Sequence, residues 1–98
     1  MDGKITYTFT STMWKEAAGS WYFISLPKDI SQEIRGNLQW QEEGWGRMKA
    51  TAQIGTVKWD TAIWFDTKGG TYYLPVKAAI RKKAKLTTDT NLDVTLWV

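Results

Sequence analysis

Two stretches of this chain follow one plan: a short apolar run, then Leu-Pro, then residues of helical period. The first is Phe23-Ile24-Ser25-Leu26-Pro27 leading to Ile34-Arg35, and the second is Tyr72-Tyr73-Leu74-Pro75 leading to Ile80-Arg81. Proline cannot donate to a sheet ladder, so it ends a strand or opens a helix. A single strand with a single helix has no partner for its apolar face. Two copies in one polypeptide can cover each other, and that requirement limits the folds available. The 98 residues make one domain, 1–98. A chain of that length buries about 60–65% of its unfolded surface, which allows one core but hardly a deep enclosed cavity as well.

The rest of the chain alternates. Ile5, Tyr7 and Phe9 interleave with Lys4, Thr6, Thr8 and Thr10, the period of a half-buried strand. Lys15 to Ser20 reads as a loop and Trp21 to Leu26 as a strand. Asp29 and Gln32 have capping spacing, Ile30, Ile34 and Leu38 share a helical face, and Gly36 suits a C-terminal cap. Gln39 to Gly46 has no period and reads as a loop. Met48, Ala50, Ala52 and Ile54 alternate with polar residues, as do Val57, Trp59, Thr61, Ile63 and Phe65. Gly55-Thr56 between them makes a tight hairpin. After a turn at 66–70 and a short strand, Pro75 suits the first turn of a second helix. Its apolar stripe is Val76, Ala79, Ile80 and Ala84. Leu92, Val94, Leu96 and Val98 form a last strand. The expected fold is mainly β: a small closed barrel with two short helices and an internal pseudo-repeat.

Composition narrows the chemistry. There is no Cys and no His, which removes thiol nucleophiles, His bases and the usual zinc sites. No catalytic residue, metal or cofactor is expected, and the chain reads as a non-enzyme. No apolar run approaches the ~20 residues of a membrane span. Met1-Asp2-Gly3-Lys4 lacks the apolar core of a signal peptide, so a cytoplasmic protein is expected. Seven Trp are many for 98 residues; large rings suit a thin core, with some left for the surface. The net charge of +3 is uneven: residues 1–46 carry −2 and residues 47–98 carry +5.

Five ordered motifs resemble one family. They are Trp21-Tyr22-Phe23-Ile24-Ser25-Leu26-Pro27, Gly44-Trp45-Gly46, Ala52-Gln53-Ile54-Gly55, Trp59-Asp60-Thr61, and Tyr73-Leu74-Pro75-Val76-Lys77-Ala78-Ala79-Ile80-Arg81-Lys82. Together they resemble the bacterial domain-of-unknown-function-1905 family. The resemblance implies a double-split β-barrel like that of the AbrB, MazE and MraZ transcription factors. In those proteins two chains complete a barrel; here one chain would supply both halves. The family's Gly-Asp turn before the last strand is replaced by Thr87-Thr88-Asp89-Thr90-Asn91, where Asn91 can take the left-handed conformation in place of glycine. The family has no established activity, so no functional residue carries over.

Three constellations remain as candidate sites. Trp45 and Trp40 on the aromatic loop, with outward-facing Trp64 and nearby Arg47 and Lys49, could line a groove for a peptide, a base or a sugar ring. Alternatively, the loop folds over one end of the barrel and its indoles plug it. Trp97, also outward by alternation, shares that ambiguity. Lys77, Arg81 and Lys85, at every fourth position, would share a helix face widened by Lys82 and Lys83. That face could contact nucleic-acid phosphates, or serve simply as the solvated side of an amphipathic helix. Glu42 and Glu43 are adjacent and cannot readily converge on one reacting atom, and Asp60 is a lone outward carboxylate. The leading expectation is a binding or interaction module using Trp45, Arg47 and Trp64, for a protein or small ligand. The alternative is an AbrB-like nucleic-acid binder using Lys77, Arg81, Lys82 and Lys85.

Overall fold

The computed structural model describes residues 5–98, so Lys4 and the N-terminal Met1-Asp2-Gly3 lie outside it. The strands are β1 (Thr6–Lys15), β2 (Tyr22–Ser25), β3 (Arg47–Ile54), β4 (Val57–Asp66), β5 (Thr71–Pro75) and β6 (Asn91–Trp97). The helices are α1 (Lys28–Leu38) and α2 (Ala78–Lys83). Short 3-10 turns at Gln39–Gln41 and Gly44–Gly46 join α1 to β3. The strands close into an antiparallel barrel in the order β1-β2-β5-β4-β3-β6.

That ring has an internal symmetry. Exchanging β1 with β4, β2 with β5 and β3 with β6 leaves every neighbour relation unchanged. The two Leu-Pro units meet across the exchange: β2 pairs β5 with Ile24 opposite Leu74, and the Leu26 N–H donates to the Tyr72 carbonyl at 2.9 Å. Each half repeats a strand that changes partner partway. β1 pairs β6 over residues 6–12 and β2 over 13–15. β4 pairs β3 over 57–64 and β5 over 64–66.

The alternation places the core as expected. Tyr7, Phe9, Met48, Ala50, Ala52, Ile54, Ile63, Val94 and Leu96 all point inward and are buried. The β3–β4 hairpin turns on Gly55-Thr56, where Gly55 has φ +60, a conformation only glycine takes without strain. Of the seven indoles, only Trp59 packs against the core. Aliphatic side chains, methionines, Phe9 and two tyrosines fill the thin interior instead.

Several element boundaries differ from expectation. Gly36 does not end α1: the helix runs on to Leu38, and the Gln39 N–H still reaches the Arg35 carbonyl. No side chain caps α1; Pro27 holds the N-cap position, and Asp29 only contributes charge to the first turn. Pro75 is the last residue of β5, and α2 begins three residues later. Val76 is buried but precedes α2, and Ala79 faces solvent. Before β6 the left-handed residue is Asp89 (φ 62), because Asn91 is already in the strand. Asp and Asn tolerate that conformation for the same reason, a short side chain that can bond locally.

Helix α1 lies on the barrel through Ser31, Ile34 and Leu38, which are buried at helical spacing. Ser31 is wholly buried, and its hydroxyl accepts the Tyr72 N–H at 3.1 Å. A strand N–H facing a helix has no ladder partner, and this hydroxyl supplies one. Ser31→Ala would leave a buried donor unpaired and should cost about 1–2 kcal/mol in urea unfolding. A loss within the ~0.5 kcal/mol typical of ordinary surface changes would show that the bond contributes little.

Candidate functional site

A groove of 670 Å³ crosses the outer wall of the barrel from the end of β6, over β3 and β4, to the end of β5. Thr51 and Ala62 belong to its lining and lie on the outward face by alternation, yet each is only 5% exposed. They form a floor. Trp64 sits opposite Arg47 on β3, and Trp97 sits opposite Thr51 on the same strand. Four residues of strand separate those positions, so the two indoles stand about 13 Å apart along β3. Lys49 is opposite Ala62 between them, and Lys77 closes the β5 side. The lining side chains thus carry three cations and one carboxylate, Asp60, which accepts the Thr51 hydroxyl at 3.1 Å. Among the described residues neither Lys49 nor Lys77 makes an ion pair.

The cation next to Trp64 is held in place. Arg47 forms an ion pair with Glu43, and the Glu43 N–H donates to the Arg47 carbonyl at 2.6 Å. Its guanidinium carbon lies 6.0 Å from the Trp64 ring centroid, within reach of a cation–π contact. The intervening Gly44-Trp45-Gly46 turn needs Gly46: its φ is +73, and a Cβ there would come within 3.2 Å of the Phe65 Cβ. Trp45 is itself left-handed (φ 69), an uncommon conformation for a bulky residue. At the far end Lys58 lies over Trp97, 4.5 Å from the centroid.

The loop carrying Gln41 and Arg47 into the groove is latched to the barrel from inside. The buried Tyr72 hydroxyl donates to the Glu42 carboxylate, and Arg35 lies 3.9 Å from the same carboxylate. Arg35 also stacks on Phe65, 3.7 Å from its centroid, and Phe65 meets Tyr72 edge-on at 5.0 Å. The loop indoles were the candidates to plug one end of the barrel. Trp45 is 91% exposed and Trp40 77% exposed, so neither ring closes it.

The sequence candidates therefore divide. Arg47 and Trp64 line one groove together with Lys49, Trp97 and Lys77, but Trp45 stands clear of it. The basic stripe does not form a helix face, because α2 spans six residues: Lys77 precedes it and Lys85 (φ 55) lies beyond its end. Arg81 is engaged inward, donating to the Val76 carbonyl at 2.8 Å and stacking 3.8 Å from the Tyr22 centroid. Lys82 and Lys83 are exposed. The carboxylates also separate: Glu42 joins the Tyr72 latch, Glu43 pairs with Arg47, and Asp60 lies in the groove. What sequence reasoning missed was the convergence of Lys49, Lys77 and Trp97. Outward alternation marked Lys49 and Trp97, but only the β3–β6 register brings them together.

The pseudo-symmetry supplies an internal comparison. Laying Leu26-Pro27 on Leu74-Pro75 aligns Ile24 with Tyr72, and so their cross-strand partners Met13 and Phe65. One residue earlier, Thr12 and its partner Asn91 fall on Trp64 and its partner Arg47. In the same register Thr10 and Asp93 fall on Ala62 and Lys49, and Gln53 falls on Trp97. Asp29 occupies the place of Lys77. A requirement of the barrel would apply to both halves. Polar or acidic residues at every mate show that the fold needs neither indoles nor cations at these positions.

Among the described residues no helix is long and apolar enough to cross a membrane, and no group of His, Cys, Asp and Glu is placed to hold a metal. No curated protein matches the sequence. The family model described as Domain of unknown function (DUF1905) matches residues 9–96, and with nearly its whole length covered this chain belongs to that family.

Proposed function

We propose that the domain is a binding module without chemistry of its own, and that its ligand lies in the outer groove between Trp64 and Trp97. The observation that carries this is the asymmetry between the halves: five groove positions hold Arg, Lys, Lys, Trp and Trp, while their mates hold Asn, Asp, Asp, Thr and Gln. An exposed indole such as Trp64 and unpaired lysines cost a small domain solubility or self-repulsion, and closing the barrel does not call for them. They do suit a ligand. The AbrB-like, double-split account of the architecture is compatible with it: strands β1 and β4 each change partner partway, the relation expected if one chain supplies both halves of such a barrel. AbrB-like nucleic-acid binding through Lys77, Arg81, Lys82 and Lys85 gains no such support, since Arg81 is held against Tyr22.

The test is a two-dimensional amide NMR titration with a set of charged and neutral aromatic fragments. Shifts should concentrate on the Trp64 and Trp97 indole N–H signals and on amides 47–51 and 60–64. Trp64→Ala should abolish them while the amide spectrum stays that of the folded barrel, with a loss in urea unfolding of about 1–3 kcal/mol for the buried part of the ring. Shifts confined to Trp40 and Trp45, or to residues 81–85 on adding duplex DNA, would refute the groove assignment.

A further inference from the structure

We infer that the groove selects an anion carrying a planar ring: a phosphate or carboxylate attached to, or close to, a flat aromatic group. This rests on the groove being the binding site and goes further by naming what fits it. Charge sets the first half of the preference. Arg47 is paired with Glu43, but Lys49 and Lys77 face a single acidic side chain of the lining, Asp60, which is already engaged by Thr51. With Lys49 and Lys77 unpaired among the described residues, an incoming anion would meet two ammonium groups that need not first release a partner. Arg47, its charge balanced by Glu43, is held beside Trp64 and adds fixed N–H donors rather than net charge.

Shape sets the second half. The floor beside Trp64 is a methyl group, Ala62, and the floor beside Trp97 is Thr51. Short side chains between taller ones leave a flat bed with aromatic walls, which suits a ring rather than a branched aliphatic group. Trp64 keeps 39% of its surface exposed, enough indole for a ring to stack on. Lys49 lies between the two indole positions, so an anion bound there has an aromatic surface about 7 Å away along the strand on either side. A ligand with only one of the two features would use half the groove.

Isothermal titration separates the contributions. The probes are adenosine 5′-monophosphate and 1-naphthoate as ring anions, adenosine as a ring without charge, and inorganic phosphate as charge without a ring. The ring anions should bind about tenfold or more tighter than either half-probe. Lys49→Gln together with Lys77→Gln should weaken the ring anions about tenfold and leave adenosine unaffected. A ten-residue single-stranded oligonucleotide distinguishes the source: tighter binding than the mononucleotide places the ring anion in a polymer, and equal or weaker binding makes it a free small molecule. Adenosine binding as tightly as its monophosphate would overturn the charge requirement, and phosphate binding as tightly would overturn the ring requirement. If all four probes fail while neutral fragments still shift the groove signals, the ligand class is wrong but the groove stands. If the groove signals respond to nothing, both are wrong.

Discussion

Leu74→Ala should lower the unfolding free energy by about 2–5 kcal/mol, and Leu26→Ala by a similar amount. Both side chains are essentially sealed from solvent. They occupy equivalent places in the two Leu-Pro units, at the seam where β2 pairs β5. Truncation there removes apolar contacts and leaves a cavity that a closed barrel cannot easily collapse, because each neighbouring strand is held by two others. A domain of this size has roughly 5–15 kcal/mol of stability in all, so either change takes a large share. Urea unfolding followed by Trp fluorescence measures the loss, and the denaturant dependence should keep its slope. A cost well below 1 kcal/mol for Leu74→Ala would mean that the seam is not central. Markedly unequal costs would mean that only one unit carries the core.

That seam was legible in the sequence because its signals are local: two short apolar runs, each followed by Leu-Pro and residues of helical period. The β3–β4 hairpin was legible for the same reason, since a two-residue turn fixes its register. Boundaries were less so. Gly36 looked like a helix end by composition, but packing of Ile34 and Leu38 on the barrel carries α1 past it. Pro75 fits a helix start and a strand end equally, and pairing with Phe23 decides for the strand. The groove was half legible. Arg47 and Trp64 were grouped through their nearness to the Trp-bearing loop, and the hairpin register sets them opposite each other. Lys77 was assigned to a helical stripe that a six-residue α2 cannot present, and Trp97 joins through pairing between strands more than forty residues apart. The seven indoles divide between core and surface. They were expected to serve a thin core with several left for the surface; one packs on the core, and four (Trp21, Trp40, Trp45 and Trp64) remain exposed. Trp21 stacks on Phe23 at 6.2 Å, beside a Trp14–Phe23–Tyr73 cluster that covers the β1–β2–β5 seam from outside.

The alkaline limb of stability should be governed in large part by Tyr72. Its ring is fully buried, and burial first, then its bond to the Glu42 carboxylate, hold its ionisation well above the ordinary 10.0. The folded state keeps this proton at a pH where the unfolded chain gives it up. Below pH 10 both states hold it and the interaction stabilises in full; above pH 10 the unfolded state binds fewer protons, and stability falls as pH rises. One such tyrosine contributes a slope of up to about 1.4 kcal/mol per pH unit. Tyr7, raised by burial and by Glu33, and Tyr73, raised by its bond to Asp66, add smaller shares in the same direction. Tyr72→Phe isolates the main one. At pH 7 it removes the donor to a largely buried carboxylate whose remaining charged neighbour is Arg35 at 3.9 Å, and should cost about 1.5–3 kcal/mol. Between pH 10 and 12 the variant should lose stability more slowly than the parent, so the two curves converge. Parallel curves would place the alkaline sensitivity elsewhere. Because Glu42 anchors the loop that delivers Gln41 and Arg47 to the groove, the same variant should loosen that loop at neutral pH. Faster amide exchange across residues 41–47, with the β1–β6 ladder unchanged, is the signature that joins the latch to the site.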